Sequence, residues 1–290
     1  MKFSIIIPTF NNCDYLKLCI DSIKKNSSFN NQIIVHINGH DQYTEEYINR
    51  INLSYTKTKD NVGLCKGVNI ASKKADTNYI VYAHDDMYFL PGWDNYLYDE
   101  IQLLPDNLFY LSCTQLSHYP KGKGELNHIY FDAGDSLSNF DEKHLLKNYK
   151  SLSFYDLQGS HWAPHVVHKD IWNKIGGFSE EFDPGFGSDP DLNMKLWSLG
   201  VRVFKGVNKS RIYHFGSLTT RKKNDIIRNN GRKTFLLKWK FSIDFFTKYY
   251  LKRGTIYKGP LNSPNKNLFY FFSLLKDKIN YFFNKLWKIS

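Results

Sequence analysis

Apolar and polar residues fall in two kinds of block over roughly the first 110 positions. Short unbroken apolar runs at 3–8, 32–37 and 79–84 have the length and β-branched content of strands buried on both faces. Between them, apolar residues recur at three- and four-residue spacing, as in Tyr15, Leu16, Leu18, Cys19, Ile20 and Ile23, which predicts a helix. Polar turns such as Asn11-Asn12 and Asn38-Gly39-His40-Asp41 separate the blocks. A helix over 44–51, a strand over 53–58 and a short helix ending near 74 complete the alternation. Strands alternating with helices across short connections predict an α/β fold with a mostly parallel sheet and helices on both faces.

Past residue 86 the pattern loosens. Pro91-Gly92-Trp93 is a turn before a helix to about 104, and 109–114 reads as a strand. Residues 117–140, rich in Gly, Lys, Asn and Ser, predict a mobile loop with some strand, suited to a lid. A strand over 161–168 precedes a short helix from 170 to Gly176-Gly177. A glycine-rich loop over 183–191 opens a helix over 192–199, and 201–207 is a strand. Residues 224–252 are helical and basic, and 254–267, with two Pro and two Gly, reads as a linker. On a helical wheel of the last stretch, Leu268, Phe272, Leu275, Ile279, Phe282, Phe283 and Leu286 share one face, with Lys276, Lys278, Lys285 and Lys288 outside it.

Charge divides the chain. Of 39 basic and 28 acidic residues in 290, 20 basic and only 3 acidic lie in 205–290. A basic, aromatic tail on an acidic body points to an anionic partner, nucleic acid or a membrane surface. The basic residues accompany bulky aliphatic stripes and no recognition motif is present, so a nucleic-acid partner is not expected. The tail has the makeup of a helix lying on an anionic bilayer, the alternative being packing on protein. No run reaches the roughly 18 apolar residues that span a bilayer. Cys13, Cys19, Cys65 and Cys113 lack metal-type spacing and read as reduced cytosolic thiols. The chain opens directly on a strand pattern, so no signal peptide is expected.

The candidate chemistry sits at element ends. The strand at 79–84 stops on Asp85 and Asp86, and ligands of open α/β sheets gather at that edge. Read alone, the pair serves either as oxygen ligands for magnesium or manganese or as turn and helix-cap acids. Asp189 and Asp191 serve either as a general base or as helix N-terminal acids. His214 is either a further ligand or an ordinary histidine. The Gly63…Gly67 spacing is neither a Walker nor a dinucleotide fingerprint.

Taken in order, these pieces resemble a family 2 glycosyltransferase of the GT-A fold, over roughly residues 2–221. Ser4-Ile5-Ile6-Ile7-Pro8-Thr9-Phe10-Asn11-Asn12 is similar to the family's opening strand. Asn61-Val62-Gly63-Leu64 with Gly67 and Asn69 matches its middle motif, and His84-Asp85-Asp86-Met87 stands where the family has its DXD motif. Gly176-Gly177-Phe178 followed by Gly187-Ser188-Asp189-Pro190-Asp191-Leu192 resembles the segment ending in the base-bearing "ED", and His214-Phe215-Gly216-Ser217 a late His motif.

The resemblance implies a metal-dependent, inverting transferase that moves a sugar from a nucleoside-diphosphate donor, UDP-type, in surface polysaccharide synthesis. Pro8, Thr9, Asn38, Asn61 and Gly63 would hold the nucleotide, and Asp85 and Asp86 the diphosphate through Mn2+ or Mg2+. His214 would add a ligand. Asp189 would be the base, with Asp191 second because Ser188 replaces the first acid of the "ED". The family usually offers Asp where this chain has Asn38, so Asn38→Asp is expected to preserve or improve use of a uridine donor. Trp93, His161, Trp162 and His165 are candidates for a saccharide or lipid-linked acceptor, since Trp stacks on sugars and His bonds hydroxyls; each is as well suited to the core. The implied organisation is a GT-A domain over 1–221, a basic helical extension over 222–253, a linker over 254–267 and an amphipathic helix over 268–290, cytoplasmic and peripheral on the inner face of the cytoplasmic membrane. Two other readings remain: a non-catalytic nucleotide-sugar-binding module, and a nucleotidyltransferase, which would carry a more basic, glycine-rich first loop.

Overall fold

The computed structural model describes residues 1–119, 128–216 and 230–286. The apolar runs become β1 (Phe3–Thr9), β2 (Gln32–Ile37), β3 (Ser54–Lys57) and β4 (Tyr79–Tyr82), all parallel. Phe3, Ser4, Ile5, Ile6 and Ile7 are all fully buried, so both faces of β1 are covered, as its unbroken apolar run requires. The connections are α1 (Cys13–Asn26), α2 (Gln42–Arg50) and α3 (Leu64–Ser72). α1 turns Leu16, Cys19, Ile20 and Ile23 into the core. α2 is started by Asp41, whose carboxylate accepts from the Thr44 N–H at 3.0 Å. α3 is capped from far along the chain: Asp183 accepts from the N–H groups of Cys65 (2.7 Å) and Lys66 (3.4 Å). Gly63, at φ +90°, makes room for that carboxylate, because a Cβ there would lie 2.3 Å from it.

The second half supplies β5 (Met87–Phe89), α4 (Trp93–Gln102), β6 (Phe109–Ser117), β7 (His128–Tyr130), α5 (Glu142–Asn148), β8 (Leu157–Gln158), β9 (His165–His168), α6 (Lys169–Ile175), α7 (Ser188–Leu199) and β10 (Val203–His214). The sheet runs β3-β2-β1-β4-β9-β6-β10-β5, with β7 on β6 and β8 on β10. β9 is antiparallel to both β4 and β6, so β6 and β10 resume the direction of the first four strands. That insertion interrupts the parallel run the sequence predicts; strand direction follows from long-range pairing, which a single segment does not encode.

Three further differences bear on the site. β4 ends at Tyr82, and His84-Asp85-Asp86 forms a turn into β5, a three-residue strand too short to show a period. β10 continues through a bulge between Val207 and Arg211 as far as His214, well past the predicted end at 207. α7 begins at Ser188, so Asp189 and Asp191 stand in its first turn rather than in the preceding loop.

The basic stretch contains α8 (Gly231–Trp239) and α9 (Ile243–Phe245), which runs on into a π-helical turn, Phe246–Tyr250. Phe235, Phe246 and Leu251 belong to the main core, so this part packs against the sheet domain. Residues 254–267 have no helix or strand, yet they are fastened to the sheet. Gln158 N–H donates to Thr255 O (2.8 Å), Tyr257 N–H to Asp156 O (2.8 Å) and Leu261 N–H to Arg202 O (2.9 Å). The last helix, α10 (Leu268–Leu286), follows. Part of the expected lid (120–127), the 221/222 boundary, Ser217 and Lys288 lie outside the described residues.

Candidate active site

The candidate residues gather where β1, β4 and β10 end, at the carboxyl edge of the sheet, where open α/β sheets bind ligands. Antiparallel pairing sets His214 of β10 opposite Met87 of β5, and Phe215 N–H donates to Asp86 O at 3.2 Å. That ladder draws together two residues 128 positions apart: His214 Nε2 lies 3.2 Å from Asp86 Oδ1. His84 completes the group, with one ligand atom from each of His84, Asp86 and His214 within 4.8 Å of one another.

Asp85 points elsewhere. Its Oδ2 accepts from Thr9 Oγ1 at 2.7 Å, which ties β1 to the turn after β4. Burial and the charge of Asp86 push its carboxyl up to about 7, against the pull of the Thr9 hydroxyl. The structure thus separates the expected ligand pair: Asp86 joins His214, while Asp85 faces Thr9. His84 is the residue missed in the sequence. Its only signal in the sequence is its place two residues before Asp86.

Two imidazoles and a carboxylate are a fitting donor set for a divalent ion. Burial, and then His214, push the His84 imidazole down to about 4, so it is neutral at pH 7, the form a metal binds. His214 Nδ1 is buried and has no hydrogen-bond partner among the described residues. Two nitrogen ligands to one oxygen suit Mn2+ better than Mg2+, which prefers oxygen.

The two carboxylates of α7 differ. Asp191 is fully buried and committed: it accepts from Ser179 Oγ (2.6 Å) and Trp239 Nε1 (2.8 Å) and pairs with Lys238 Nζ (2.9 Å). It pins α7 to α8 with both oxygens engaged, which favours Asp189 over Asp191 as the base. Asp189 has the opposite character. Its Oδ1 is shut off from solvent without a hydrogen-bond partner among the described residues, and burial pushes its carboxyl up to about 7. Its charge is felt by Tyr82, whose phenol burial raises well above its usual value and which also senses Asp85. It is felt as well by Cys65 at the start of α3. Asp189 stands in the first turn of α7, and the loop just before it reaches α3 through the Asp183 bond to Cys65 N–H.

The nucleotide-side candidates are built into that loop. Asn61 Oδ1 accepts from Gly63 N–H at 3.0 Å. Asn38 is buried with both ends of its amide in use: Oδ1 accepts from Val62 N–H (2.7 Å) and Nδ2 donates to Gly63 O (3.0 Å). Asn38 holds the Asn61–Gly63 loop in shape, and a carboxylate there would face the Gly63 carbonyl. These bonds argue for a loss on Asn38→Asp rather than the expected tolerance. Pro8 is half-buried beside His36 of β2.

The acceptor candidates scatter. Trp93 is fully buried at the start of α4; its ring packs 4.5 Å from Phe89 and Nε1 donates to Ser27 Oγ at 3.0 Å. It is a core residue. His165 is fully buried in β9 between Tyr82 and Tyr110, with neither ring nitrogen hydrogen-bonded among the described residues. His161 and Trp162 are half-buried and adjacent, and Trp162 Nε1 has no partner.

The mixed α/β sheet is that of a GT-A glycosyltransferase fold. Over residues 4–158, more than half of its length, the sequence matches glycosyl transferase family 2, and the chain belongs to that family. Asp189, Asp191 and His214 lie beyond the matched stretch. No curated protein sequence matches the chain. Among solved structures, S. aureus TarS is similar at 17% identity and a TM-score of 0.52, over 75% of this chain and 37% of that one. TarS residues 1–349 in complex with UDP give 18%, 0.51, 73% and 60%. GalNAc-T7 with UDP, GalNAc and Mn2+ gives 16%, 0.59, 83% and 48%. The chain thus spans 37% to 60% of the length of these structures, and the likeness is one of fold.

Proposed function

We propose that this chain transfers a sugar from a nucleoside-diphosphate donor, UDP-type, to a hydroxyl of a saccharide or lipid-linked saccharide, inverting the anomeric centre. The observation that carries the reading is the His84–Asp86–His214 group at the carboxyl edge of the sheet; Asp189, in the first turn of α7, supplies a carboxylate raised by burial. UDP in the TarS complex and UDP with Mn2+ in GalNAc-T7 support a uridine donor and a divalent ion. Membership of the family supports sugar transfer.

His84, Asp86 and His214 would hold the ion, Mn2+ in preference to Mg2+, and a bound ion would neutralise the departing diphosphate. The rest falls to the chain. Thr9 bonds Asp85 and so fixes the turn that presents His84 and Asp86. The Asn61–Gly63 loop, shaped by Asn38, would line the nucleotide side of the site. The Asp189 carboxylate takes the proton of the acceptor hydroxyl as that hydroxyl's oxygen bonds the anomeric carbon. The bond to the diphosphate breaks, and its electron pair leaves with the nucleotide. One displacement from the opposite face gives inversion. Burial holds the Asp189 carboxyl near 7, strong enough as a base at neutral pH to accept a hydroxyl proton during attack.

The proposed organisation is a transferase domain over 1–221, the basic extension over 222–253, the segment over 254–267 and the helix over 268–290. The proposed setting is surface polysaccharide synthesis on the inner face of the cytoplasmic membrane, with peripheral attachment. Among the described residues no helix is long and apolar enough to cross a membrane. Calorimetric titration with a panel of nucleotide sugars, with and without Mn2+, tests the reading. Metal-dependent binding of a UDP-sugar, lost in Asp86→Ala, is expected; binding that ignores both the metal and Asp86 would overturn the donor site.

A further inference from the structure

α10 is attached to the protein by its polar side. Tyr270, Ser273, Asp277, Tyr281 and Asn284 recur at three- and four-residue spacing and are its buried or half-buried positions, together with Leu274. Asp277 Oδ2 accepts from both the N–H and the Oγ of Ser242 at 2.7 Å. Tyr249 OH meets Ser273 Oγ at 2.9 Å and donates to Phe269 O at 3.0 Å. The Tyr270 ring packs 5.0 Å from that of Phe245. These bonds fix the rotation of the helix about its axis.

The side turned to solvent is the apolar one. Phe271, Phe272, Leu275, Ile279, Phe282 and Phe283 are each 49% to 61% exposed. A surface helix of a globular protein does the reverse, turning its apolar stripe to the core. At 100° per residue, Lys276 falls on one shoulder of this outward stripe and Lys278 and Lys285 on the other, all three exposed. The helix's one acid, Asp277, is consumed by Ser242 on the protein side. The outward face is therefore an apolar row edged on both sides by cations with no anion among them.

We infer that α10 docks the protein on an anionic lipid bilayer, with Phe271, Phe272, Leu275, Ile279, Phe282 and Phe283 in the acyl boundary and Lys276, Lys278 and Lys285 at the phosphates. Charge complementarity selects this occupant over a second copy of the chain, whose α10 would bring like-charged shoulders together. An interfacial helix of this kind buries its apolar face in the headgroup and acyl boundary while its lysine stems reach outward. The docking itself does not depend on the donor chemistry. Its bearing on a lipid-linked acceptor rests on the proposed glycosyl transfer.

Flotation of the full chain with vesicles decides. One set is pure phosphatidylcholine, the other phosphatidylcholine mixed with an equal part of phosphatidylglycerol. Binding to the anionic set is expected, with little to the neutral set. Phe272→Glu with Phe283→Glu should abolish it, and Lys276→Gln, Lys278→Gln and Lys285→Gln together should weaken it by about 100-fold, roughly fivefold per lysine. Sedimentation of the same proteins without lipid tests self-association through α10. Failure to bind anionic vesicles, or a dimer that the Phe272→Glu and Phe283→Glu pair dissolves, would overturn the inference. Nucleotide-sugar calorimetry on that double variant separates the two readings. Lost flotation with intact donor binding is the expected result for the variant, whereas a wild-type chain that floats but binds no donor sinks the proposed function and leaves the docking standing.

Discussion

Asp189→Asn keeps the shape of the side chain and removes its charge, so it reads both the burial of this carboxylate and its role. Burial moves its carboxyl from 3.8 to about 7. At 1.36 kcal/mol per unit, the folded protein holds the ionised form at a cost of roughly 4 kcal/mol relative to the protonated form. The folded pKa is raised above the unfolded one, so the proton-linked stability is fully present below about 4 and is lost as pH rises to about 7. The variant should match the wild type near pH 4 and exceed it increasingly up to pH 7. The residue as a whole is half-buried, so solvent screening trims the 4 kcal/mol ceiling to about 1–2 kcal/mol at pH 8. For a chain of this size that is a rise in melting temperature of about 2–8 °C. Turnover should fall by about 100- to 10,000-fold, the range for loss of a general base, while donor binding holds. The wild-type kcat/KM should climb through about pH 7, and the variant's residual rate should lack that step. Thermal melts from pH 4 to 8, paired with a nucleoside-diphosphate release assay, measure both effects. An unchanged melting temperature at pH 8 together with unchanged turnover would refute the reasoning.

Asp191→Ala should cost about 2–4 kcal/mol in urea denaturation, because Trp239 Nε1 and Ser179 Oγ lose their acceptor and Lys238 one of its two carboxylate partners. Asn38→Asp should cost about 1–3 kcal/mol and weaken donor binding in calorimetry, since a carboxylate would face Gly63 O in place of an N–H donor. Trp93→Ala should cost about 3–5 kcal/mol by denaturation, with no selective rise in acceptor KM, as for any large core ring.

Much of the fold was legible because β1, β2 and β4 are largely buried on both faces and so are mostly apolar. Their helices must show a stripe. What escaped depends on contacts far apart in sequence. β5 has three residues and exists only because β10 lies beside it; β9 carries no mark of its antiparallel direction. The site divides in the same way. Asp86, His214 and Asp189 stood out as charged or ligating groups at element ends. Asp85 and Asp86 are indistinguishable in sequence, and only the path of β1 gives Asp85 to Thr9. Asp191 looked as available as Asp189 because its partners, Lys238 and Trp239, come more than forty residues later. Trp93 suited a sugar platform equally well until α4 placed it in the core. The wheel of the last helix revealed an apolar face, but only the bonds from Ser242 and Tyr249 show that it points away from the protein.

The central claim is nucleotide-sugar transfer with the donor held at Asp86 and the acceptor proton taken by Asp189. Release of nucleoside diphosphate from a panel of nucleotide sugars with Mn2+, measured side by side on the wild type, Asp86→Ala and Asp189→Asn, tests it most directly. The account predicts release from a UDP-sugar by the wild type, none above background for Asp86→Ala, and at least about a hundredfold less for Asp189→Asn. Equal release by wild type and Asp189→Asn, or none by the wild type from any donor, would contradict it.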